Sequence, residues 1–143
     1  MKPVDLIPSL LDRFPAFRVR WRNYQELWEG DDSPRTFLDA AQFSSFVIER
    51  IVCGDNATVQ NSFDYLESML NETSSDSDLA GLIIVGILEG IYLQMSSRID
   101  EGNLCEQYMG PKTIAGWKYL ERTWAGKKSL ADVIEGEIRP DDG

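Results

Sequence analysis

The chain has 143 residues and a formal net charge of −10. This length is typical of one domain, and the acidic balance argues against nucleic acid as a partner, because phosphate binding needs a basic surface. The absence of histidine excludes Ser-His and Cys-His nucleophilic pairs and histidine-containing metal sites.

The first half of the chain predicts four helices, over residues 4–13, 15–29, 36–53 and 57–72, because apolar residues recur there at helical spacing. In the second of these helices, four aromatic side chains share one face and are expected in the core: Phe17, Trp21, Tyr24 and Trp28. The fourth helix is cleanly amphipathic, with acids such as Asp64 and Glu67 on its polar side.

The most apolar stretch is residues 78–97, and its apolar residues occupy most of the helical circumference. Such a helix is surrounded by other helices, so we predict that it is central to the fold. A membrane span needs about 20 mainly apolar residues. The apolar run from Leu79 to Leu93 has only 15 residues and is interrupted by Glu89, so we predict no membrane contact. Glycines at 81, 86 and 90 predict that another helix packs closely against it.

After this helix the pattern predicts a turn over 98–103, a short helix around 104–109, a helix from Pro111 to Gly126 and a last short helix to Glu137. No alternating strand pattern occurs. We therefore predict an all-α fold, a single-domain bundle or short α-superhelix of about six or seven helices over residues 1–137, followed by a loose tail over 138–143.

Sequence motifs for catalysis are missing. The two cysteines, Cys53 and Cys105, lack metal-type spacing, and no glycine-rich phosphate or dinucleotide loop occurs. We predict no catalytic residue, no metal site, no cofactor and a non-enzymatic protein. The first residues also lack a secretory signal pattern, which predicts a cytoplasmic location.

Charge is unevenly distributed along the sequence. Between Ile51 and Ser97 there is no lysine or arginine. The same segment contains seven acids: Asp55, Asp64, Glu67, Glu72, Asp76, Asp78 and Glu89. These acids are either ordinary solvated side chains or a docking face for a basic partner.

Glu89 has the most unusual setting among these acids, since it lies within the apolar helix and close to Tyr92. One interpretation is an exposed polar position or a buried carboxylate that is hydrogen bonded to a neighbouring helix. The other is a contact to a ligand or partner, for which Tyr92 would supply an adjacent aromatic ring.

Several segments of the chain carry a resemblance: residues 63–67 (FDYLE), 82–90 (LIIVGILEG), 109–111 (MGP) and Trp117. Together they resemble a group of small uncharacterised bacterial helical proteins, some of which are regarded as immunity partners of polymorphic toxins. The resemblance covers roughly residues 35–125 and implies a protein-binding role. By residue it carries over only Glu89 and the packing glycines at 86 and 90.

Our leading hypothesis is a non-enzymatic module that binds a protein partner, specifically an immunity protein that neutralises a basic toxin through an acidic face. The predicted partner-binding residues are Asp64, Glu67, Glu89 and Tyr92. Two alternatives stay open: a helical adaptor that self-associates as a homodimer, and a small-ligand-binding bundle with a pocket near Glu89.

Overall fold

The computed structural model describes the backbone of residues 1–95 and 101–138 and the side chains of residues 1–95 and 104–124. Seven helices occur in this part of the chain, with no strand, which confirms the predicted all-α class. A 3₁₀ turn (Pro3–Asp5) precedes α1 (Leu6–Arg13), α2 (Phe17–Leu27), α3 (Thr36–Val52), α4 (Asn56–Glu72), α5 (Asp78–Met95), α6 (Glu101–Glu106) and α7 (Pro111–Ile138). The predicted tail lies outside the described residues apart from Ile138.

Local sequence signals set several helix ends. Gly54 adopts a positive φ of 79° after α3, a conformation that glycine reaches without steric cost. The Asp55 side chain then accepts a hydrogen bond from the Thr58 amide at 3.2 Å and starts α4. Ser77 does the same for the Ala80 amide at 3.1 Å and starts α5.

Two helices, α3 and α5, form the centre of the fold. The α3 helix contacts α1, α2, α4 and α5, whereas α5 contacts α3, α6 and α7. Eight apolar side chains of α5 are almost fully buried: Leu79, Ala80, Leu82, Ile83, Ile87, Leu88, Ile91 and Met95. The prediction that this stretch is central is confirmed, but α3 shares the role.

The α5 helix is also the one helix within the described residues that is long and apolar enough to cross a membrane. Half of that stretch is buried inside the protein itself. Its apolar surface is therefore largely used by contacts with α3 and α7, as expected of a core helix.

Glycines let α3 and α5 approach closely. A Cβ atom at Gly86 would lie 2.9 Å from the Ala40 Cβ, and one at Gly90 would lie 2.7 Å from the Ser44 Oγ. The two helices run in the same direction, since Ala40 faces Gly86 and Ser44 faces Gly90. The predicted close packing is confirmed at these two positions and is wrong for Gly81, where a Cβ would meet nothing within 4 Å.

The middle of α5, Leu82–Leu88, is π-helical. In this geometry the hydrogen bonds run from i to i+5 rather than i to i+4. The buried hydroxyl of Ser44 donates to the Ile87 carbonyl at 2.6 Å. The α3–α5 contact thus combines close backbone approach with a buried hydrogen bond.

The C-terminal part of the chain differs from its prediction. A single helix runs from Pro111 to Ile138, so Gly126 does not end a helix and no separate last helix begins near Ser129. A glycine inside a helix costs about 1 kcal/mol relative to alanine, which lowers stability without forcing a stop. The Ser129 pattern of a helix start is therefore located inside a helix.

Candidate interaction surface

The Glu67 carboxylate binds the beginning of α7. Its oxygens accept hydrogen bonds from the backbone amides of Lys112 at 3.1 Å and Thr113 at 2.8 Å. The Thr113 hydroxyl and the Asn71 side chain donate to it as well, at 2.9 and 3.1 Å. The first amides of a helix lack intrahelical acceptors and carry partial positive charge, so a carboxylate satisfies them well.

This environment changes the ionisation of Glu67. Burial raises the pKa of the carboxyl group, but the hydrogen bonds from Thr113, Lys112 and Asn71 lower it by more. The net pKa lies below the ordinary value because these donors stabilise the charged form. Glu67 is half-buried and hydrogen bonded to the start of α7. The helical pattern alone had indicated a solvated acid.

A missing side chain makes this contact possible. A Cβ atom at Gly110 would lie 2.6 Å from the Glu67 Cδ, closer than real Cβ contacts occur.

The segment before α7 makes further contacts with α4. Phe63 stacks on Tyr108 with ring centroids 6.2 Å apart, and Gln60 donates to the Tyr108 carbonyl at 3.0 Å. Two of the segments that carried the resemblance, residues 63–67 and 109–111, thus meet in space.

Asp64 remains on the exposed side of α4. Its carboxylate accepts a hydrogen bond from the Gln60 amide at 2.8 Å and makes no ion pair with any residue that the structure describes. It is therefore available to a partner, unlike Glu67.

Glu89 and Tyr92 lie together on α5, whereas Asp64 and Glu67 lie on α4. Glu89 is half-buried between the exposed side chains of Val85 and Leu93, and it forms no hydrogen bond or ion pair within the described residues. Tyr92 packs edge-on against Trp117, with ring centroids 5.3 Å apart. Glu89 is thus neither the fully exposed position nor the buried, hydrogen-bonded carboxylate that the sequence left open, but a partly exposed acid.

Apart from Glu89, the mid-chain acids differ in whether they have a partner within the fold. Asp55 pairs with Arg50 at 3.7 Å, and hydrogen bonding by Thr58 lowers the pKa of its carboxyl group. Glu67 is satisfied by α7. Four exposed acids have no cation within ion-pair distance in the described part of the chain, and we call them the acidic segment: Asp64, Glu72, Asp76 and Asp78.

These acids do not form a metal site. Among the described residues no group of three or more aspartate, glutamate or cysteine side chains converges closely enough to hold an ion. The acidic segment is spread along α4 and the loop to α5. This arrangement suits contacts with an extended charged surface better than coordination of one cation.

A cleft between α2 and α3 was not predicted from the sequence. It has a volume of about 750 Å³, and neither Glu89 nor Tyr92 lines it. The arginines at its edge, Arg20 and Arg50, belong to helices whose patterns indicated only core packing and solvation. The signal that the sequence did contain is the position of Val19 and Leu27 off the aromatic face of α2, where they remain 62% and 81% exposed.

Comparison with known proteins gives one match. A family model described as a domain of unknown function, DUF7674, covers residues 7–125. No curated protein and no solved structure matches the chain.

Proposed function

Since the chain belongs to the DUF7674 family, whose description names no activity, we propose a function from its own surface. We propose that it is a non-enzymatic binding protein whose acidic segment docks onto a basic surface of a protein partner. A basic toxin, neutralised when this protein covers it, is the specific case that the sequence resemblance favours. The proposed setting is the cytoplasm.

The exposure of the acidic segment, with no described cation within ion-pair distance, is the observation that carries this proposal. Elsewhere in the described structure, several arginines already have acidic partners: Arg18 with Asp12, Arg20 with Glu49, and Arg35 with Asp39. Asp64 and Glu72, which lie two helical turns apart on α4, have no such partner among the residues that the structure describes. Unpaired charges of one sign accelerate association with a complementary surface and make it dependent on salt.

Glu89 extends the proposed contact to α5, because a carboxylate with no partner among the described residues, lying between two exposed apolar side chains, suits a cation that is flanked by apolar groups. Glu67 and Tyr92 are less accessible, since Glu67 binds α7 and Tyr92 packs on Trp117. The proposal therefore rests on the acidic segment together with Glu89.

The test is co-purification of the chain with the product of the adjacent gene, followed by titration at low and high salt. We expect a complex that weakens as salt rises. The variant Asp64→Lys with Glu72→Lys should weaken it by about tenfold or more at low salt, because reversed charges repel a basic surface.

A matched control is Glu29→Lys with Asp32→Lys, which makes the same change in net charge at exposed acids outside the acidic segment. This control should bind within about threefold of the unmodified chain at the same salt concentration. Equal weakening by both double variants would show that only net charge matters and would refute a defined docking site.

A further inference from the structure

The cleft between α2 and α3 is open to solvent and has an amphipathic lining. The two helices run antiparallel, since Arg20 pairs with Glu49 at one end and Tyr24 donates to Asp39 at 2.6 Å farther along. Small-molecule sites commonly occupy about 300–1,000 Å³ and combine an apolar lining with a few polar groups, and this cleft has about 750 Å³.

The two ends of the cleft differ in chemistry. One end is formed by Arg20, Glu49 and Arg50, and the other by Leu27, Trp28 and Leu38. Seven residues of α2 separate Arg20 from Leu27, which corresponds to about 10 Å along a helix. A ligand that spans the cleft would therefore meet charge at one end and apolar surface at the other.

The charged end holds more donors than acceptors. Each guanidinium carries five N–H groups. Arg20 donates through Nη2 to Glu49, and Nη1 of Arg50 lies 3.7 Å from Asp55. The Nε atoms of both arginines are buried and have no acceptor among the described residues. These Nε atoms are closed to solvent, but the Arg20 and Arg50 side chains remain 29% and 33% exposed. Their remaining N–H groups can therefore donate to an anionic group in the cleft.

The apolar side chains at the other end of the cleft are exposed to solvent. Leu27 is 81% exposed and Leu38 is 45% exposed, although both border the cleft. Between the two ends lie the aromatic side chains of Tyr24 and Phe46. An apolar ligand body of about 10 Å would lie over these two largely buried rings and would remove the exposed Leu27 and Leu38 side chains from water.

We propose that this cleft binds a carboxylate-bearing amphiphile, with its carboxylate at Arg20 and Arg50 and its apolar body over Tyr24 towards Leu27 and Leu38. The cleft is too short for more than about two helical turns of a docked peptide, and its polar and apolar groups are separated end to end. Both features favour one small amphiphile over a helix from another protein. This site is independent of the acidic segment.

The probe is decanoate, titrated into the purified full chain by calorimetry, with decanol as the uncharged comparison. We expect saturable binding of decanoate with one ligand per chain and binding of decanol at least about tenfold weaker, because decanol lacks the anionic group. Equal binding of both probes, or no saturable binding of decanoate, would overturn the proposal.

Variants locate the site. Arg50→Gln should weaken decanoate about tenfold while leaving decanol unchanged, and Leu27→Glu should weaken both, because it places a charge at the apolar end. The matched controls are Arg22→Gln and Val52→Glu, which change exposed residues on the same helices outside the cleft. Both controls should bind as the unmodified chain does.

Circular dichroism of each variant separates loss of binding from loss of fold. Weakening by Arg22→Gln as strong as that by Arg50→Gln would place the ligand elsewhere. If Leu27→Glu abolished capture of a protein partner while decanoate failed to bind, the cleft would be a protein-docking groove and the proposal would be wrong.

Discussion

Glu67 interacts with backbone amides that lie 45 and 46 residues later in the chain. Its pKa is lowered in the folded state, so the unfolded chain binds a proton at Glu67 more readily than the folded chain does. The resulting stabilisation is fully present above the ordinary value near 4.5 and is lost as pH falls through the lower folded pKa.

Replacing Glu67 with glutamine tests this linkage. The variant keeps one acceptor oxygen and loses the charge, so we expect its free energy of unfolding at pH 7 to fall by about 1–2 kcal/mol. The difference from the unmodified chain should shrink below about pH 4.5, measured by urea unfolding at several pH values. Glu72→Gln, on the exposed surface of the same helix, should stay within about 0.5 kcal/mol. A difference for Glu67→Gln that does not change with pH would contradict the assigned role of the charge.

Gly90 and Gly81 belong to the same helix but differ in what surrounds them. We expect Gly90→Ala to destabilise the fold by about 1–3 kcal/mol, because the added Cβ would lie 2.7 Å from the buried Ser44 Oγ. Gly81→Ala should instead stabilise it by about 0.5–1 kcal/mol, since the space is open and alanine favours helix. Chemical unfolding of both variants checks the pair, and similar effects of the two substitutions would refute the close α3–α5 contact.

At the residue scale, the sequence predicted the packing glycines at 86 and 90 but not the role of Glu67. The glycine spacing within one apolar helix is a local pattern, and it identifies a face on which a neighbour can approach. The partners of Glu67 lie on another helix, and local periodicity contains no information about which helix start a carboxylate will reach. The unpaired Nε groups of Arg20 and Arg50 likewise depend on how two helices are placed.

At the scale of elements, helix existence was predictable and helix ends were less so. The amphipathic pattern of α4 predicted 57–72, and the helix is Asn56–Glu72, because its start is set by a local Asp55 cap. The two helices predicted around Gly126 are one helix, α7, since tertiary context can override the low helix propensity of glycine. The π-helical turns of α5 had no recognisable sequence signal.

The α7 helix is part of the core through Trp117, which is 1% exposed and packs against Tyr92. We expect Trp117→Ala to lower the free energy of unfolding by about 3–5 kcal/mol, because it removes a large buried side chain and leaves a cavity. Tyr119→Ala, which truncates an aromatic residue 53% exposed on the same helix, should cost less than about 1 kcal/mol. Urea unfolding gives both values, and equal costs would mean that this helix does not belong to the core.

At the scale of the whole molecule, the net charge of −10 and the unpaired acidic segment imply repulsion within the folded state. Raising NaCl from about 0.01 M to about 1 M shortens the Debye length from about 30 Å to about 3 Å. We therefore expect the free energy of unfolding to rise by about 1 kcal/mol over this range.

Glu72→Gln isolates the electrostatic part of this effect. It removes one unpaired charge, so it should stabilise the chain by about 0.3 kcal/mol at low salt and by nothing measurable at high salt. Thermal unfolding at both salt concentrations provides the check. A chain whose stability does not change with salt would show that its acids are solvated without mutual repulsion.

The class of the fold followed from composition and periodicity, because a helix-patterned chain with one very apolar segment has few other ways to bury that segment. The location of the cleft could not be predicted from the sequence, since the cleft is formed between α2 and α3 and not by either helix alone. Leu27 lies off the aromatic face that the sequence predicted for the core, and the structure leaves it 81% exposed.

The Glu67 contact also bears on how the chain reaches its final state. The amides that Glu67 binds belong to the first turn of α7. Gly110, directly before this helix, has no side chain that would block the Glu67 carboxylate. A synthetic peptide of residues 111–138 would lack this acceptor, and its first turn would fray. During synthesis, α4 leaves the ribosome well before α7, so the acceptor is already in place when those amides emerge. Hydrogen exchange at the Thr113 amide would then report the docking of α7 onto α4 directly.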